Sequence, residues 1–254
     1  QVLLGIEGFE LGPDDRGRHP ELLQQLRDAA LRAADNPDIG AVMLCAAGDT
    51  FCVGGDVKAM AAGAKRDMGF EERVGDLRGK MEAARILHDM AKPTVAVVRG
   101  AAAGAGLSLA LACDFRIVSR NARFTTAFAK VALSGDFGGS WFLSQIVGTA
   151  RARELYLTSP ILNAEQALAI GLVTQVVDDA DLEAAATEFA SRLARGPRIT
   201  LGYIKQNLNL AETGSLVEAL DQEALHHVRS ALTADHKEAA AAFVEKRAPV
   251  FSGR

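Results

Sequence analysis

Cysteine is scarce in this chain, and the cysteines that occur fit no motif. The 254 residues include three cysteines, Cys45, Cys52 and Cys113. Their number is odd and their spacing matches no metal-binding pattern, so neither a disulfide framework nor a cysteine metal site is expected. Such sparse cysteine usage is typical of a reducing compartment, and we predict a cytoplasmic protein.

Long apolar runs and a strong excess of charge are missing as well. The most apolar stretch, residues 101–113, is too short to span a bilayer and carries Gly104, Gly106 and Ser108. The first 20 residues lack a basic segment followed by an apolar run, which argues against a signal peptide. The formal net charge of −4 does not favour nucleic acid as a partner, and no membrane association is expected.

What the chain does contain is an alternation of short apolar runs and helical periods. Apolar or β-branched runs predict buried strands at residues 2–6, 41–45, 94–98, 115–118 and 173–177. Helical periodicity lies between the first and second of these runs, at residues 21–34, and between the second and third, at residues 71–90. This order of strands and helices predicts an α/β protein.

The pattern changes at residue 182. Only helical stretches follow, rich in Ala, Leu and Glu, at residues 182–195, 199–211, 216–234 and 237–247. We therefore predict an α/β core over residues 1–181 that carries the ligand site, and a helical oligomerisation region over residues 182–254. Residues 61–70, with two glycines and mixed charge, are the predicted mobile loop.

A glycine-containing turn follows the predicted strand at 41–45. Gly54 and Gly55 precede a helical start at Asp56. Glycines at such a turn let the backbone approach a ligand closely and present its N–H groups. The alternative is an ordinary strand-to-helix turn with Asp56 as the N-cap, which this stretch taken alone favours.

A loop made only of glycine and alanine follows the predicted strand at 94–98. Residues 100–106 leave room for a ligand against the backbone, and an apolar helix after them places the positive end of its dipole there. N–H donors at that point would stabilise an oxyanion, each lowering a barrier by about 3 kcal/mol. A dinucleotide fingerprint is rejected because Leu109 occupies the third glycine position. A nucleophilic Ser108 is disfavoured, since the second glycine of a nucleophile elbow is missing.

Asp136 is the carboxylate that stands out in the next stretch. It lies between Gly135 and the pair Gly138-Gly139, ahead of a helix predicted from about residue 140. Asp136 could simply cap that helix, and this alternative is favoured by the stretch alone. Trp141, just inside the helix, is expected to pack in the core or to line an acyl pocket.

Two other conspicuous features are interpreted as structural. Cys52 has no visible base to form a thiolate, so it is expected to be a small packing residue. His226 and His227 are neighbours in a predicted helix and cannot share one face, so no metal site is predicted.

Taken together, in this order and spacing, these stretches resemble the crotonase superfamily, also called the enoyl-CoA hydratase/isomerase family. The resemblance runs from about residue 22 to residue 251. It is carried by residues 51–56, 100–106, 113–114, 138–139, 146–148, 164–173 and 243–247. It implies a spiral of ββα units with a C-terminal helical region that builds trimers or hexamers. It also implies an acyl-CoA thioester as substrate, with coenzyme A part of that substrate and no separate cofactor.

The resemblance also assigns roles to residues. The family's oxyanion hole maps onto the backbone N–H groups of Gly55 and Ala105. Two glutamates of the family's hydratases match Ser108 and Phe128, neither of which can act as a base at neutral pH. Asp136 matches an aspartate of other branches, which include isomerases of the phenylacetate pathway and an aryl-CoA dehalogenase. The residues expected to line the substrate are Val53, Gly54, Asp56, Gly104, Ser108, Phe128 and Trp141.

Three functions stay open at this point. The favoured one is double-bond isomerisation, in which Asp136 moves a proton while the oxyanion hole holds a thioester enolate; burial would raise the pKa of this carboxyl toward that of a general base. The second is an enoyl-CoA hydratase that uses Asp136 and water. The third is a non-catalytic acyl-CoA-binding homologue. The family's N-terminal phosphate contacts are replaced here by residues 8–18, where Arg16 or Arg18 is expected to substitute.

Overall fold

Four parallel strands form the central sheet in the computed structural model, which describes residues 19–55 and 68–254. In sheet order they are β1 (Val42–Leu44), β2 (Thr94–Val98), β4 (Phe115–Ser119) and β7 (Gln175–Val177). Every neighbouring pair runs parallel. Parallel sheets are covered on both faces, which explains why all five residues of β2 are buried.

A second, smaller sheet lies where the glycine-alanine stretch was predicted to be a loop. Its strands are β3 (Ala101–Ala103), β5 (Arg123–Thr125) and β6 (Leu162–Asn163). β3 pairs parallel with β5, and β5 pairs antiparallel with β6. The loop prediction is therefore wrong at its centre. Small side chains did not prevent pairing, because ladder hydrogen bonds need only the backbone.

Helices make up most of the remaining described chain. They are α1 (His19–Asp35), α2 (Phe70–Asp89), α3 (Ala105–Leu111), α4 (Gly139–Thr158), α5 (Ala164–Ala169), α6 (Leu182–Ala194), α7 (Arg198–Ala211), α8 (Leu216–Ala231) and α9 (Ala234–Glu245). Two 3₁₀ turns occur at Phe128–Val131 and Asp179–Asp181. Within the described ranges, no helix is both long enough and apolar enough to cross a membrane.

The predicted elements agree with these bounds in most places. One exception is the break between the last two helices, which is predicted between residues 234 and 237 and lies instead between Ala231 and Ala234. Thr233 separates them, since its hydroxyl accepts a hydrogen bond from the His236 N–H at 3.1 Å and so caps α9. Some predictions fall outside the described residues. They are the strand at residues 2–6, the mobile loop up to residue 67, and the roles of Arg16, Arg18 and Asp56.

The central sheet is packed on both faces. On one face, Leu182, Ala186 and Ala190 of α6 meet Val95 and Ile117 in a compact buried cluster. The other face carries the larger cluster, which extends to α1, α2, α3 and α4. The first helix of the C-terminal region thus completes the core of the sheet. The predicted boundary at residue 181, and the oligomerisation role of the helices beyond it, stay predictions.

A buried ion pair attaches α7 to the sheet. The Nζ of Lys205 donates to Oδ2 of Asp114 at 2.8 Å and to the carbonyls of Leu87 and Lys92 at 3.1 and 3.2 Å. The same carboxylate oxygen accepts from the N–H of Thr94 at 2.7 Å. Because the buried ammonium has three acceptors, the cost of removing it from water is largely offset.

Backbone contacts bring the first two glycine-containing stretches side by side. The N–H of Cys52 donates to the Ala101 carbonyl at 3.0 Å, and its carbonyl accepts from the Ala103 N–H at 2.9 Å. A Cβ placed on Gly106 would lie 2.1 Å from that same carbonyl oxygen. Only glycine permits this approach, so Gly106 sets how closely the turn after Cys52 lies against α3.

We predict that Gly106→Ala destabilises the fold by about 1–3 kcal/mol, because the added methyl group overpacks a backbone contact. Urea unfolding measures this as a lower midpoint. Gly75→Ala in α2 is the matched control, since no described atom lies within 4 Å of its Cβ position. It is expected to stabilise the fold by about 0.5–1 kcal/mol through helix propensity. A Gly106→Ala midpoint equal to that of the wild type would contradict the close approach.

Candidate active site

The two predicted oxyanion-hole donors come from adjoining segments. A Cβ on Gly54 would lie 3.2 Å from the Ala103 carbonyl oxygen and 3.4 Å from the Ala105 nitrogen, so this turn lies against the start of α3. Gly55 follows directly. Ala105 is the first residue of α3, where an N–H has no acceptor within its own helix. Gly54 and Gly104 both have positive φ, at +86° and +53°, which suits glycine and aims the backbone.

Asp136 lies in a tight turn that leads into α4. The N–H of Gly139 donates to the Asp136 carbonyl at 3.0 Å, and Phe137 has a positive φ of 49°. Positive φ is uncommon for a bulky residue, and Phe137 is held in it by burial in the core. The N-cap of α4 is Gly138, with no side-chain cap. The alternative that Asp136 caps this helix is therefore wrong, and its carboxylate is left for another use.

The Asp136 side chain is half-buried, and one of its carboxylate oxygens is fully buried without compensation. Its Oδ1 has no hydrogen-bond partner. Burial raises the pKa of this carboxyl to about 6. An acceptor that has lost water and found no donor is destabilised, so a ligand that brings a proton or a donor to this oxygen gains binding energy.

Two further acidic groups near Asp136 stay protonated. Burial, together with the Asp136 charge, raises the pKa of the Cys52 thiol to about 11. Burial and the same charge raise the pKa of the Tyr156 phenol to about 12. Among these three groups, Asp136 alone changes its protonation near neutral pH. The buried, protonated thiol agrees with the interpretation of Cys52 as a packing residue.

Ser108 and Phe128 both lie against the glycine that precedes Ala105. The Ser108 hydroxyl is 1% exposed and donates to the Gly104 carbonyl at 3.2 Å. The Phe128 ring is also buried, with its edge 3.7 Å from a Cβ placed on Gly104. Neither side chain supplies a charge, so the surroundings of Asp136 are apolar or neutral.

Sequence reasoning missed Tyr156. Its ring stacks on Phe128, with centroids 5.9 Å apart and an interplanar angle of 8°. Its hydroxyl would lie 2.6 Å from a Cβ on Gly139. In the sequence, Tyr156 is one more large residue in a helical pattern. Only the tertiary structure shows that this part of α4 lies against the Asp136 turn.

A cavity of about 340 Å³ opens beside the Asp136 turn, between α2 and the start of α4. Trp141 forms one wall, with the His88 ring edge-on to it at 5.2 Å. Met81 and Ala84 of α2, with Phe137 and Phe142, supply further apolar lining, and Arg78 and Arg85 also border the cavity. Trp141 thus borders a cavity, and the expectation that an acyl group occupies it stays a prediction.

The structure brings most of the predicted site residues into one region. Seven of them lie around the start of α3: Gly54, Gly55, Gly104, Ala105, Ser108, Phe128 and Asp136. Trp141 lines the neighbouring cavity. Val53 is exposed on the same turn. Asp56 lies outside the described residues. The roles of all these residues in binding or catalysis stay predictions at this point.

No metal cluster competes with this site in the part of the chain that the structure describes. There, no three His, Cys, Asp or Glu side chains converge as ligands. His226 stacks on Tyr203 with centroids 4.3 Å apart, and its Nδ1 lies 2.5 Å from Oδ1 of Asn207. His226 is thus engaged in packing between α7 and α8.

Comparison with known proteins agrees with this architecture. Residues 19–254 match the family model described as enoyl-CoA hydratase/isomerase. The chain is 38% identical to the 1,2-epoxyphenylacetyl-CoA isomerase of Escherichia coli, over 92% of this chain and 89% of the relative. It is 35% identical to the trans-2-decenoyl-[acyl-carrier-protein] isomerase of Streptococcus mutans, over 84% and 81%. An enoyl-CoA hydratase structure from Polaromonas sp. JS666 superposes with a TM-score of 0.85, at 34% identity over 91% and 90%.

The chain therefore belongs to the enoyl-CoA hydratase/isomerase family, and it is an enzyme of that family. The predicted crotonase-like fold is confirmed. The resemblance rested on several short motifs in order, and the match extends over almost the whole chain.

We predict that Asp136→Asn raises the melting temperature at pH 8. The folded-state pKa of Asp136 is raised from an ordinary 3.8 to about 6, so the wild type loses stability as pH rises through that window. An amide escapes this cost, and the difference between variant and wild type should shrink toward zero at pH 4. Thermal unfolding at the two pH values measures it.

The exposed Asp38 supplies the matched control, and Asp38→Asn should change the melting temperature little at either pH. If Asp136→Asn is no more stable than the wild type at pH 8, water or a hydrogen-bond donor must reach the carboxylate, and the prediction is wrong.

Proposed function

We propose that this enzyme isomerises a double bond within an acyl-CoA thioester, with Asp136 as the proton shuttle. The observation that carries the proposal is the unpartnered, desolvated Oδ1 of Asp136, whose pKa is raised to about 6. A group with this pKa is ionised enough at neutral pH to take a proton and basic enough to be useful.

The reaction divides into two proton transfers. Asp136 takes the proton from the α-carbon of a 3-enoyl thioester, and the C–H electron pair moves into the thioester carbonyl to form a dienolate. The N–H groups of Gly55 and Ala105 hold the oxygen, which carries the new charge. Asp136 then returns its proton to the γ-carbon, and the electrons collapse to the conjugated 2-enoyl product. Atoms and charge balance, and no cofactor is needed beyond the coenzyme A of the substrate.

The neutral surroundings of Asp136 favour isomerisation over the usual hydration. Ser108 and Phe128 stand where the family resemblance places the two glutamates of hydratases. Ser108 is committed to the Gly104 carbonyl, and Phe128 is packed on Tyr156. A single carboxylate suffices for a shuttle, whereas syn hydration usually uses two groups. Two relatives, the Escherichia coli and Streptococcus mutans proteins, are named as isomerases.

The acyl group has room beside Asp136. We assign it to the cavity between α2 and α4, whose walls include Met81, Phe137 and Trp141. Most of this lining is apolar or aromatic, which suits a hydrocarbon or ring substituent, and Arg78 and Arg85 of α2 border the same cavity. Val53, Gly54 and Gly104 would then flank the thioester.

Asp136→Asn tests the shuttle directly. We predict that it lowers kcat for double-bond migration by about 10²–10⁴, the usual contribution of a general base. NMR in D₂O follows migration and deuterium incorporation at the α- and γ-carbons of a panel of 3-enoyl and 2-enoyl-CoA thioesters. For the wild type, kcat/KM should fall tenfold per pH unit below about 6, because only the carboxylate can accept the proton.

The exposed Asp38→Asn variant should keep wild-type rates. Water addition without migration would replace the isomerase with the hydratase that uses Asp136 and water. Tight thioester binding without exchange or addition would leave an acyl-CoA-binding homologue. Full migration by Asp136→Asn would remove Asp136 from the mechanism.

The cytoplasmic location, the homotrimeric or homohexameric assembly and the phosphate contacts of Arg16 or Arg18 stay predictions from the sequence.

A further inference from the structure

We propose that Tyr156 is a positioning residue that fixes the distance between Asp136 and the oxyanion hole. The proposal rests on the proposed isomerisation. Two independent paths lead from the Tyr156 side chain to Gly104, the residue immediately before the donor Ala105, and the Tyr156 ring itself packs against the turn that carries Asp136.

The contact with the Asp136 turn involves both ends of that turn. The Cε1 of Tyr156 would lie 3.2 Å from a Cβ on Gly135, and its hydroxyl 2.6 Å from a Cβ on Gly139. No side chain larger than hydrogen fits at Gly139 without moving the phenol. The turn residues from 135 to 139 therefore rest on this ring, and any shift of the ring moves Asp136.

The first path to the oxyanion hole runs through hydroxyl groups. The Ser108 Oγ would lie 2.2 Å from the same Cβ on Gly139, so the serine and tyrosine hydroxyls meet beneath that residue. Ser108 donates its proton to the Gly104 carbonyl at 3.2 Å. Burial raises the pKa of the Tyr156 phenol, and hydrogen bonding with Ser108 lowers it, so the two hydroxyls lie within reach of one another.

The second path runs through aromatic rings. The Tyr156 ring lies nearly parallel to Phe128 at 5.9 Å, and the far edge of Phe128 reaches Gly104. Phe128 is 6% exposed, so it has little freedom to move away. The stacked pair acts as a spacer of fixed thickness between the Asp136 turn and the start of α3.

This spacing matters for a shuttle. The substrate fixes the distance between the enolate oxygen and the carbons that exchange protons, so the protein must match it. Asp136 must reach two carbons, α and γ, within one enolate lifetime. A misplacement of about 1 Å can lower a rate by 10². A displaced Asp136 would still exchange the nearer proton more readily than it completes migration.

The test compares two rates in one NMR experiment in D₂O: α-proton exchange and double-bond migration. We expect Tyr156→Leu, which removes both paths, to lower kcat for migration by about 10² and to lower exchange much less. KM should stay within about twofold, because Tyr156 itself is not among the residues assigned to the substrate. Tyr156→Phe keeps the ring and should lose only about two- to tenfold, the value of one hydrogen bond. Tyr203→Leu, at the other tyrosine, should leave both rates unchanged.

A merely structural role would lower exchange and migration in parallel, with their ratio unchanged, and that result would overturn the proposal. If Tyr156→Leu fails to fold, Tyr156→Phe and Ser108→Ala interrupt the hydroxyl path alone, and an unchanged ratio in both would also overturn it. Wild-type enzyme that catalyses neither process would instead remove the proposed isomerisation, so the two failures are distinguishable.

Discussion

The close backbone contact between Cys52 and Gly106 is the constraint on which the site depends. It places the turn with Gly54 and Gly55 against the first turn of α3, so that donors from two distant parts of the sequence share one location. The contact is possible only because residue 106 has no side chain. Without this contact, the Gly54-Gly55 turn and the start of α3 would be two separate glycine turns with no shared site. The proposed oxyanion hole therefore depends on backbone packing, which the absence of a side chain at Gly106 permits.

The carboxylate at the site is held in an unfavourable environment. Asp136 is half-buried, one of its oxygens is buried without a partner, and the turn beside it includes a phenylalanine with positive φ. Each of these features costs free energy. They persist because Phe137 and the ring of Tyr156 are anchored in surrounding packing. Strain concentrated in one turn of an otherwise well-packed domain is typical of a functional site.

Much of the fold was predictable from local patterns. The apolar runs at β2 and β4 were found because buried parallel strands need continuous apolar residues, and the C-terminal helices because their Ala- and Leu-rich periods are long. β3, β5 and β6 were all missed, because each is only two or three residues long and the three alanines of β3 carry no strand signal. The break between α8 and α9 depends on one capping hydroxyl, that of Thr233.

The candidate site was predictable only in part. The glycine-containing turns and Asp136 stood out in the sequence, and the family resemblance assigned the donor roles to Gly55 and Ala105. Tyr156 did not, because its importance comes from contacts with Gly135 and Gly139 that only the tertiary structure creates. The cavity beside Trp141 likewise needs α2 and α4 to meet. Residues that act through packing have no local signature.

The central claim, that Asp136 is a desolvated carboxylate which titrates near neutrality, is open to direct measurement. Carbon-13 NMR of the aspartate side-chain carboxyls, with Asp136→Asn used to assign the resonance, gives its pKa in the free enzyme. The account predicts a pKa of about 6. A value close to the ordinary 3.8 would show that water or a hydrogen-bond donor reaches the carboxylate, and it would contradict the proton-shuttle account.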